Sequence, residues 1–395
     1  MARKMKDSGI EWIGEIPEGW KTCHYKYCCS VQPGYPFDSA KFSNSSTDGF
    51  PLIRIRDITS GEIQTYYTGE YPPNYIVTAG DLLVGMDGDF NVRWWNNDAA
   101  LLNQRCCRVT EKDSVLRRFL YYVLPFTLQH INTLTYATTV KHLANGDILN
   151  SFIAFPSLPA QQNIVHYLDT VCSEIDAMLS KTRSSIEEYK KLKQSVITQA
   201  VTKGVRGERE MKDSGVDWIG EIPAEWSVAK AKYYVTIMHG SDPKTEGSIP
   251  VYGSGAESFK TCGEYKEGPT VLIGRKGATL HIPHYIEGKY WNVDTAFDVK
   301  AKNNFSLPYY YYLATSFDYK FYIAQTTLPG MTQSNYYNMF LPLPTFPEQE
   351  EIVNYLDAKC AEIDGLIAKK EQLVRELESY KKSLIYEVVT GKREV

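Results

Sequence analysis

A seven-residue spacing of mostly apolar residues runs along two long stretches of the sequence. The first stretch carries the set Leu168, Ile175, Thr182, Tyr189 and Val196, with a companion set of Val171, Met178, Ser185 and Leu192. The second carries Leu356, Ile363, Lys370, Leu377 and Leu384, with companions Leu366, Leu373 and Tyr380. Such heptads predict two helices of a coiled coil.

Both stretches are long and almost free of helix breakers. The first has no proline or glycine from Ala160 to Lys203, which predicts a rod of about 60 Å, and the second is interrupted only at Gly365. Two separate amphipathic helices, each on its own domain, would predict shorter stretches ended by a cap or a proline. Two matched apolar seams in one chain are natural partners, so we expect the helices to pair.

Two segments of the chain occur twice. MKDSGIEWIGEIPEGW, Met5 to Trp20, returns at Met211 to Trp226 with an offset of 206, and the start of the first long helix at Pro159 returns at Pro347 with an offset of 188. The first intervening module must therefore be longer than the second by 18 residues. Equivalent units that pack through one surface are related by a pseudo-twofold axis, so we expect antiparallel helices with one module at each end.

The repeat predicts an α+β protein with two mixed α/β domains separated by two long antiparallel coiled-coil helices. The expected segments are a head and first module at 1–158, a first helix at 159–206, a second head and module at 207–346, and a second helix at 347–395. The first head, at the N-terminus, is expected to pack near Val389 at the end of the second helix, as the second head packs near Val201.

The modules themselves diverge in sequence, with one exception. LLVGMDG, Leu82 to Gly88, aligns with VLIGRKG, Val271 to Gly277, and predicts a strand that enters a glycine turn. We interpret this as a shared scaffold strand whose tip residues vary.

Composition limits the classes of protein. The 395 residues suffice for two domain cores, and 43% apolar residues are typical of a globular chain. A net charge of -4 argues against a polycationic nucleic-acid coat but permits a sequence reader with a local basic face. Without an apolar run of membrane-spanning length or a signal-like start, we expect a cytoplasmic protein with no membrane partner.

In the cytoplasm, the eight cysteines are expected to be reduced, buried thiols. A zinc site is the alternative for five of them, Cys23, Cys28 and Cys29 together with Cys106 and Cys107, but the chain has no CxxC pair.

Motifs for catalysis are weak. There is no Walker A sequence and no GxGxxG after a strand. Residues 71–75, YPPNY, superficially resemble the Asn-Pro-Pro-Tyr tetrapeptide of adenine-N6 methyltransferases, with the asparagine on the wrong side of the prolines. Glu264-Tyr265-Lys266 and Glu287-Gly288-Lys289 give only the Glu-x-Lys half of a nuclease site, and His281 with His284 supplies only two metal ligands. We predict no catalytic or metal site.

The layout resembles the specificity subunit of a type I restriction-modification system over the whole chain. The resemblance rests on DSGIEWIGEIPEGW and its repeat, on the helix starts with Gln161, Gln162 and Gln349, and on the long helices. FPLIRIRDIT, Phe50 to Thr59, and GDLLVGMDGDF, Gly80 to Phe90, also look like family elements. The second module lacks the Arg-x-Arg-Asp of the first, so the roles of Arg54, Arg56 and Asp57 do not carry over to it.

The resemblance implies a non-catalytic, DNA-binding subunit. Each module would be a target-recognition domain for one half of a bipartite site in double-stranded DNA, and the helices would set the gap and dock two methyltransferase subunits. The cofactors S-adenosylmethionine, ATP and Mg²⁺ would bind methyltransferase and restriction subunits, and none would bind this chain. A self-contained nuclease or methylase, or a coiled-coil scaffold whose modules bind proteins, remains an alternative.

Base recognition needs bidentate donors, and phosphate contacts need cations and hydroxyls. Arg54 and Arg56 are spaced as if on one face of a strand. The candidate DNA-binding residues, which cluster near predicted turns, are Arg54, Arg56, Asn91, Arg93, Trp94, Gln104, Arg105, Arg275, Lys276, Lys289, Tyr290 and Asn292. The tryptophans of the repeated heads, Trp12, Trp20, Trp218 and Trp226, are expected to pack in the core.

Overall fold

The computed structural model describes residues 3–134, 142–255, 257–277, 279–302, 304–319 and 330–395. The chain forms two compact units, which are Met1–Ser180 with Val374–Val395 (unit 1) and Lys181–Leu373 (unit 2). Each unit contains one module and part of both long helices. Each module thus packs against helix segments that are far away in sequence as well as against its neighbouring helix.

Unit 1 begins with a two-stranded head and continues into a mixed α/β module. Its strands are β1 (Met5–Asp7), β2 (Glu15–Pro17), β3 (Lys21–His24), β4 (Cys29–Pro33), β5 (Phe42–Ser43), β6 (Phe50–Ile53), β7 (Tyr66–Tyr67), β8 (Ile76–Val77), β9 (Leu82–Gly85), β10 (Val92–Trp94), β11 (Ala100–Leu102), β12 (Cys106–Glu111) and β13 (Phe152–Phe155). Its helices are α1 (Tyr25–Cys28), α2 (Ile55–Ser60), α3 (Arg117–Leu134), α4 (Asn145–Asn150) and the first part of α5 (Leu158–Lys203).

Unit 2 follows the same order. Its strands are β14 (Met211–Asp213), β15 (Glu221–Pro223), β16 (Ser227–Lys230), β17 (Val235–His239), β18 (Ile249–Tyr252), β19 (Lys260–Cys262), β20 (Lys266–Glu267), β21 (Thr270–Gly274), β22 (His284–Ile286), β23 (Lys289–Asn292), β24 (Ala296–Ala301) and β25 (Phe340–Leu343). Its helices are α6 (Leu307–Ser316), α7 (Gln333–Asn338) and the first part of α8 (Phe346–Val389).

The two modules share one topology although their sequences diverge. An antiparallel four-stranded sheet has the order β10-β9-β12-β4 in unit 1 and β22-β21-β24-β17 in unit 2. A second sheet has the order β5-β7-β6-β11-β8 in unit 1 and β19-β18-β23-β20 in unit 2, each with one parallel pair at its centre. The expected mixed α/β architecture with two equivalent modules is therefore confirmed.

The repeated glutamines fasten each long helix to its module. Gln161 is fully buried, accepts a hydrogen bond from the Leu116 amide at 2.9 Å and donates to the Pro156 carbonyl at 2.9 Å. Gln349 does the same with the Ser306 amide at 2.8 Å and the Pro344 carbonyl at 3.1 Å. Because each side chain satisfies buried backbone groups, its retention in both repeats has a structural reason.

The helix seam differs from the predicted one in its companion set. The leading positions Leu168, Ile175, Leu356 and Ile363 are buried as expected. The predicted companions Met178, Leu192, Leu373 and Tyr380 are roughly half exposed. The buried companions lie four residues after the leading set, at Cys172, Leu179, Ile186, Cys360 and Val388. The repeated cysteines therefore lie in the buried stripe of each helix, and the prediction of the companion set was wrong because spacings of three and four both fit a helical stripe.

Within unit 2, the contacts of α5 and of Arg206, which follows it in the chain, run backwards along α8. Arg206 pairs with Glu351, Lys193 pairs with Asp364 at 2.6 Å, and the Lys370 ammonium lies 5.6 Å from the ring centroid of Tyr189. In unit 1, Lys381 of α8 pairs with Asp176 of α5 at 2.6 Å. The helix segments of unit 2 are thus antiparallel.

The predicted contact between the first head and the end of α8 is confirmed. The Tyr386 hydroxyl donates to the Trp12 carbonyl at 2.8 Å, and a Cβ on Gly391 would lie 2.5 Å from Pro17. Trp20 and Trp226 are buried, and Trp12 and Trp218 are packed against the cores of their units. The head tryptophans are therefore core residues, as expected. None of the described helices has the length and apolar character needed to span a lipid bilayer.

Candidate nucleic-acid interface

The aligned glycine turns, residues 85–88 of unit 1 and 274–277 of unit 2, are the most similar feature of the two modules. Each follows a fully buried strand, and Gly88 and Gly277 have φ of 74° and 113°, which favours glycine. A Cβ on Gly274 would lie 2.2 Å from the backbone of Leu280. The local backbone therefore requires glycine, while the residues between the glycines are free to differ.

In each unit, the turn makes backbone hydrogen bonds to two other segments of the module, and these segments are equivalent in the two units. In unit 1 the Met86 amide donates to the Arg105 carbonyl at 2.9 Å, and the Leu143 amide donates to the Met86 carbonyl at 2.7 Å. In unit 2 the Arg275 amide donates to Thr295, and the Met331 amide donates to Arg275, each at 2.8 Å. The turns are thus equivalent in backbone, and three segments converge at each.

In unit 1 this convergence brings together Asp87, Arg105 and His142. His142 Nδ1 lies 2.7 Å from the Asp87 carboxylate, and the Arg105 guanidinium lies 3.6 Å from the same oxygen. Arg105 and His142 remain about half exposed. The cluster presents an arginine and an imidazole to solvent, both suited to base or phosphate contacts.

The equivalent cluster in unit 2 has different residues. Arg275 lies 3.5 Å from the Asp294 carboxylate and donates to its carbonyl at 3.0 Å, and Lys276 next to it is exposed. The turn tip is therefore cationic in unit 2, where unit 1 has Asp87.

Arg54 and Arg56 do not lie in a strand, which corrects the prediction. β6 ends at Ile53, Arg54 precedes α2, and Arg56 lies within that helix. The buried Asp57 carboxylate accepts from the Arg54 amide at 2.8 Å, which caps α2 and turns the chain out of the sheet. Arg54 is exposed, and Arg56 is half exposed with a hydrogen bond to Thr65 at 2.9 Å.

Several of the candidate residues near β10 already make contacts within unit 1. Arg93 donates to the Ile58 and Thr59 carbonyls and so caps the end of α2. Asn91 is exposed and donates to the Thr59 hydroxyl at 3.2 Å, and the Arg118 guanidinium lies 4.6 Å from the Trp94 ring. Gln104 is exposed next to Arg105. Asn91, Gln104 and Arg105 thus remain the accessible members of this set.

Tyr290 and Asn292 are excluded as DNA contacts because both are fully buried. The Tyr290 hydroxyl donates to Asp298 at 3.1 Å, and Asn292 accepts from Lys266 at 2.8 Å. Strand alternation explains this, because Tyr290 and Asn292 lie two residues apart on the buried face of β23, while Lys289 is exposed and Trp291 is only half-buried. Lys289, at the start of β23, is exposed and lies 4.1 Å from the Tyr265 ring.

The residues considered for nuclease chemistry have structural partners. The Glu264 carboxylate accepts from the Lys244 and Thr245 amides, and a hydrogen bond from the Thr245 hydroxyl helps lower the pKa of Glu264 to about 2. Lys266 pairs with the buried Asp298 at 3.0 Å. Burial lowers the pKa of His284. Glu264 and Lys266 thus hold neighbouring segments of unit 2 together.

The clustered cysteines lie mostly in the core. Cys28, Cys29, Cys106 and Cys107 are buried, and burial raises the pKa of Cys28, Cys29 and Cys106 to about 12. Cys23 Sγ lies 3.0 Å from Cys28 Sγ. In the described part of the chain, no three His, Cys, Asp or Glu side chains are grouped as metal ligands.

Asp87, His142 and Asp294 were missed by the sequence analysis. His142 is distant in sequence from the turn that it contacts, and acidic residues were not considered as DNA contacts. Backbone bridges join Asp87 to His142 and Lys276 to Gly330, and residues 142 and 330 are related by the offset of 188 of the second repeat. That offset is the sequence signal that could have pointed to His142.

The chain is thus a protein of two mixed α/β modules that share one fold and one turn backbone and differ in the side chains at the turn. Sequence comparison defines the family. The profile of the type I restriction modification DNA specificity domain matches residues 17–188 and 232–375. The chain belongs to this family, which is the one predicted from the sequence.

Relatives agree with the family, and a solved structure shares the fold. The chain is 36% identical over 202 residues to the EcoBI specificity subunit of Escherichia coli, an alignment that covers 51% of this chain and 42% of that relative. It is 23% identical over 415 residues to the MjaVIII specificity subunit of Methanocaldococcus jannaschii, covering 95% and 93%. A chain from a structural study of assembly and conformational transition in a type I restriction-modification system shares the fold, with a TM-score of 0.72, 17% identity and coverage of 96% and 99%.

Proposed function

We propose that this chain is the sequence-reading, non-catalytic subunit of a type I restriction-modification complex. Each unit reads one half of a bipartite site in double-stranded DNA through the segments that converge at its glycine turn. The observation that carries this proposal is the pair of turns with one backbone and different side chains, Asp87 with Arg105 and His142 in unit 1, and Arg275 with Lys276 in unit 2. Two readers on one scaffold need the same frame and different contact residues.

The long helices are proposed to form an antiparallel coiled coil that relates the two repeats by a pseudo-twofold axis and sets the gap between the half-sites. Asp176 and Lys193 of α5 occupy the repeat positions of Asp364 and Lys381 in α8. They form reciprocal ion pairs, Asp176 with Lys381 and Lys193 with Asp364. Reciprocal contacts of this kind are typical of a twofold interface.

The chemistry is proposed to reside in other subunits. Two methyltransferase subunits dock on the helical region and bind S-adenosylmethionine, and restriction subunits bind ATP and Mg²⁺. The buried Asp298 and the loop-fastening Glu264 support this division, because these carboxylates of unit 2 are already engaged within the fold.

Exchange of one module tests the proposal. Residues 227–346 are replaced by the second module of another family member, the chain is expressed with its methyltransferase, and the methylated sites of the host genome are sequenced. We expect one half-site to change and the other to stay, and the matched exchange of residues 21–155 to change only the other half. A change of both half-sites in either exchange, or methylation or cleavage of DNA by the purified chain alone, would contradict it.

A further inference from the structure

Both units expose aromatic side chains at equivalent positions outside the glycine turns. In unit 1, Tyr27 is 63% exposed and Phe152 is 44% exposed, and in unit 2, Tyr233 is 64% exposed and Phe340 is 37% exposed. Tyr233 follows Tyr27 at the offset of the first repeated segment, and Phe340 follows Phe152 at that of the second. We define the aromatic patch as His24, Lys26, Tyr27 and Phe152 in unit 1, and Lys230, Lys232, Tyr233 and Phe340 in unit 2.

The backbone beneath each patch is the same. Phe152 pairs with His24 in the antiparallel sheet of β13 and β3, and Phe340 pairs with Lys230 in the sheet of β25 and β16. The tyrosine follows in the short turn after β3 or β16. The patch is therefore a rigid surface feature built on a two-stranded sheet.

Cations flank the rings in both units. The Lys26 ammonium lies 5.2 Å from the Tyr27 ring, and the Lys232 ammonium lies 4.9 Å from the Tyr233 ring. A second exposed lysine lies beside the first in each unit. The Lys112 ammonium donates to the Lys26 carbonyl, and the Lys302 ammonium donates to the Lys232 carbonyl. Each patch thus joins apolar rings to two or more positive charges.

Duplication of this surface contrasts with the divergence of the turn tips. A surface that is the same in both units is suited to a partner that is the same at both units. The two halves of a bipartite DNA site differ from each other, so they do not account for this duplication. An exposed phenyl ring offers no donor to a phosphate, so Phe152 and Phe340 favour a protein partner over the DNA backbone. Exposed aromatic side chains are typical of protein interface anchors, and the lysines beside them favour a partner with acidic residues at the rim of the contact.

We propose that each aromatic patch docks one copy of the same protein subunit, through an apolar pocket rimmed by carboxylates. The inference rests on the proposed function in one respect, because the proposed function is what identifies this subunit as the methyltransferase. The patch then adds a contact on each module to the docking on the helices. Both long helices also begin with an exposed apolar residue, Leu158 or Phe346, shortly after the patch strand.

Binding of the methyltransferase subunit to Tyr27→Ala, Tyr233→Ala and the double variant tests the proposal. The full-length chain is titrated with the purified subunit, and the stoichiometry is measured by native mass spectrometry. We expect each single variant to weaken the binding of one of two copies by about tenfold or more and the double variant to weaken both, as is usual when an interface anchor is truncated. Lys26→Glu and Lys232→Glu should act in the same direction. Phe259→Ala removes an equally exposed aromatic outside the patch and should leave binding unchanged.

The outcomes separate the two proposals. If the wild-type chain does not bind the methyltransferase subunit, both the proposed function and this inference fail. If the wild type binds two copies and the double variant binds them equally well, only the patch is rejected. Loss of DNA affinity with normal subunit assembly would assign the patch to DNA and overturn it as a protein-docking surface.

Discussion

At the scale of single residues, burial separates functional side chains from structural ones that look alike in sequence. Arg105 and Asn292 both belong to polar clusters next to turns. Arg105 is about half exposed, whereas Asn292 is enclosed and donates to the Ala296 carbonyl at 2.9 Å. The two residues should therefore respond to truncation in opposite ways.

Arg105→Ala should weaken binding of the assembled complex to its DNA site by about tenfold or more, because a base or phosphate contact is removed, and leave stability unchanged. Asn292→Ala should lower the free energy of unfolding by about 2 kcal/mol, because buried partners lose their hydrogen bonds. DNA titration and urea unfolding of both variants provide the measurements. Equal DNA affinity of Arg105→Ala and wild type would remove Arg105 from the interface.

The buried glutamine at the start of each long helix gives a second prediction. Gln161→Ala leaves the Leu116 amide and the Pro156 carbonyl without their partner, and should destabilise the chain by about 3 kcal/mol. Gln162→Ala changes an exposed neighbour in the same helical turn and should cost less than about 0.5 kcal/mol. Urea unfolding that shows similar losses for the two variants would mean that the buried hydrogen bonds contribute little.

At the scale of elements, the long helices show what periodicity can and cannot predict. The heptads predicted two long helices, and α5 and α8 are present with boundaries within a few residues of those expected. The predicted companion set was wrong, because which second row of residues on each helix is buried depends on the elements that pack against that helix.

Matched leucine truncations test the observed seam. Leu179→Ala, at a buried position, should lower the free energy of unfolding by about 3 kcal/mol, since a cavity replaces packed atoms. Leu192→Ala, at a half-exposed position, should lower it by less than about 1 kcal/mol. Thermal unfolding in which Leu192→Ala costs as much as Leu179→Ala would restore the companion set predicted from sequence.

At the scale of the whole molecule, the contact between the first head and the end of α8 completes unit 1 from both ends of the sequence. Arg3, Met5 and Gly391 line one cavity of about 440 Å³ with Lys392 and Glu394. The region near Gly207 between α5 and the second head is exposed. The chain should therefore tolerate circular permutation.

We expect that joining Val395 to Met1 by a short linker and opening the chain near Gly207 preserves both the fold and the DNA sequence that is methylated in cells. Circular dichroism and sequencing of methylated sites measure the two properties. As a control, opening the chain within the buried strand β9 should abolish folding. A permuted chain that fails to fold, when the same linker is tolerated at an exposed loop, would contradict the contact between head and helix.

The sequence alone determined the duplication, the two long helices, the family and the place of the glycine turns, because self-similarity, heptad spacing and glycine position are local properties of the chain. Only the tertiary structure decided that Arg54 precedes a helix, that Tyr290 and Asn292 are buried, and that Asp87, Arg105 and His142 meet. Those outcomes depend on segments that are distant in sequence, such as the strand that carries Lys266 to Asn292 and the segment that carries His142 to the turn. Burial and convergence are properties of packed elements, and residue spacing does not encode which elements pack together.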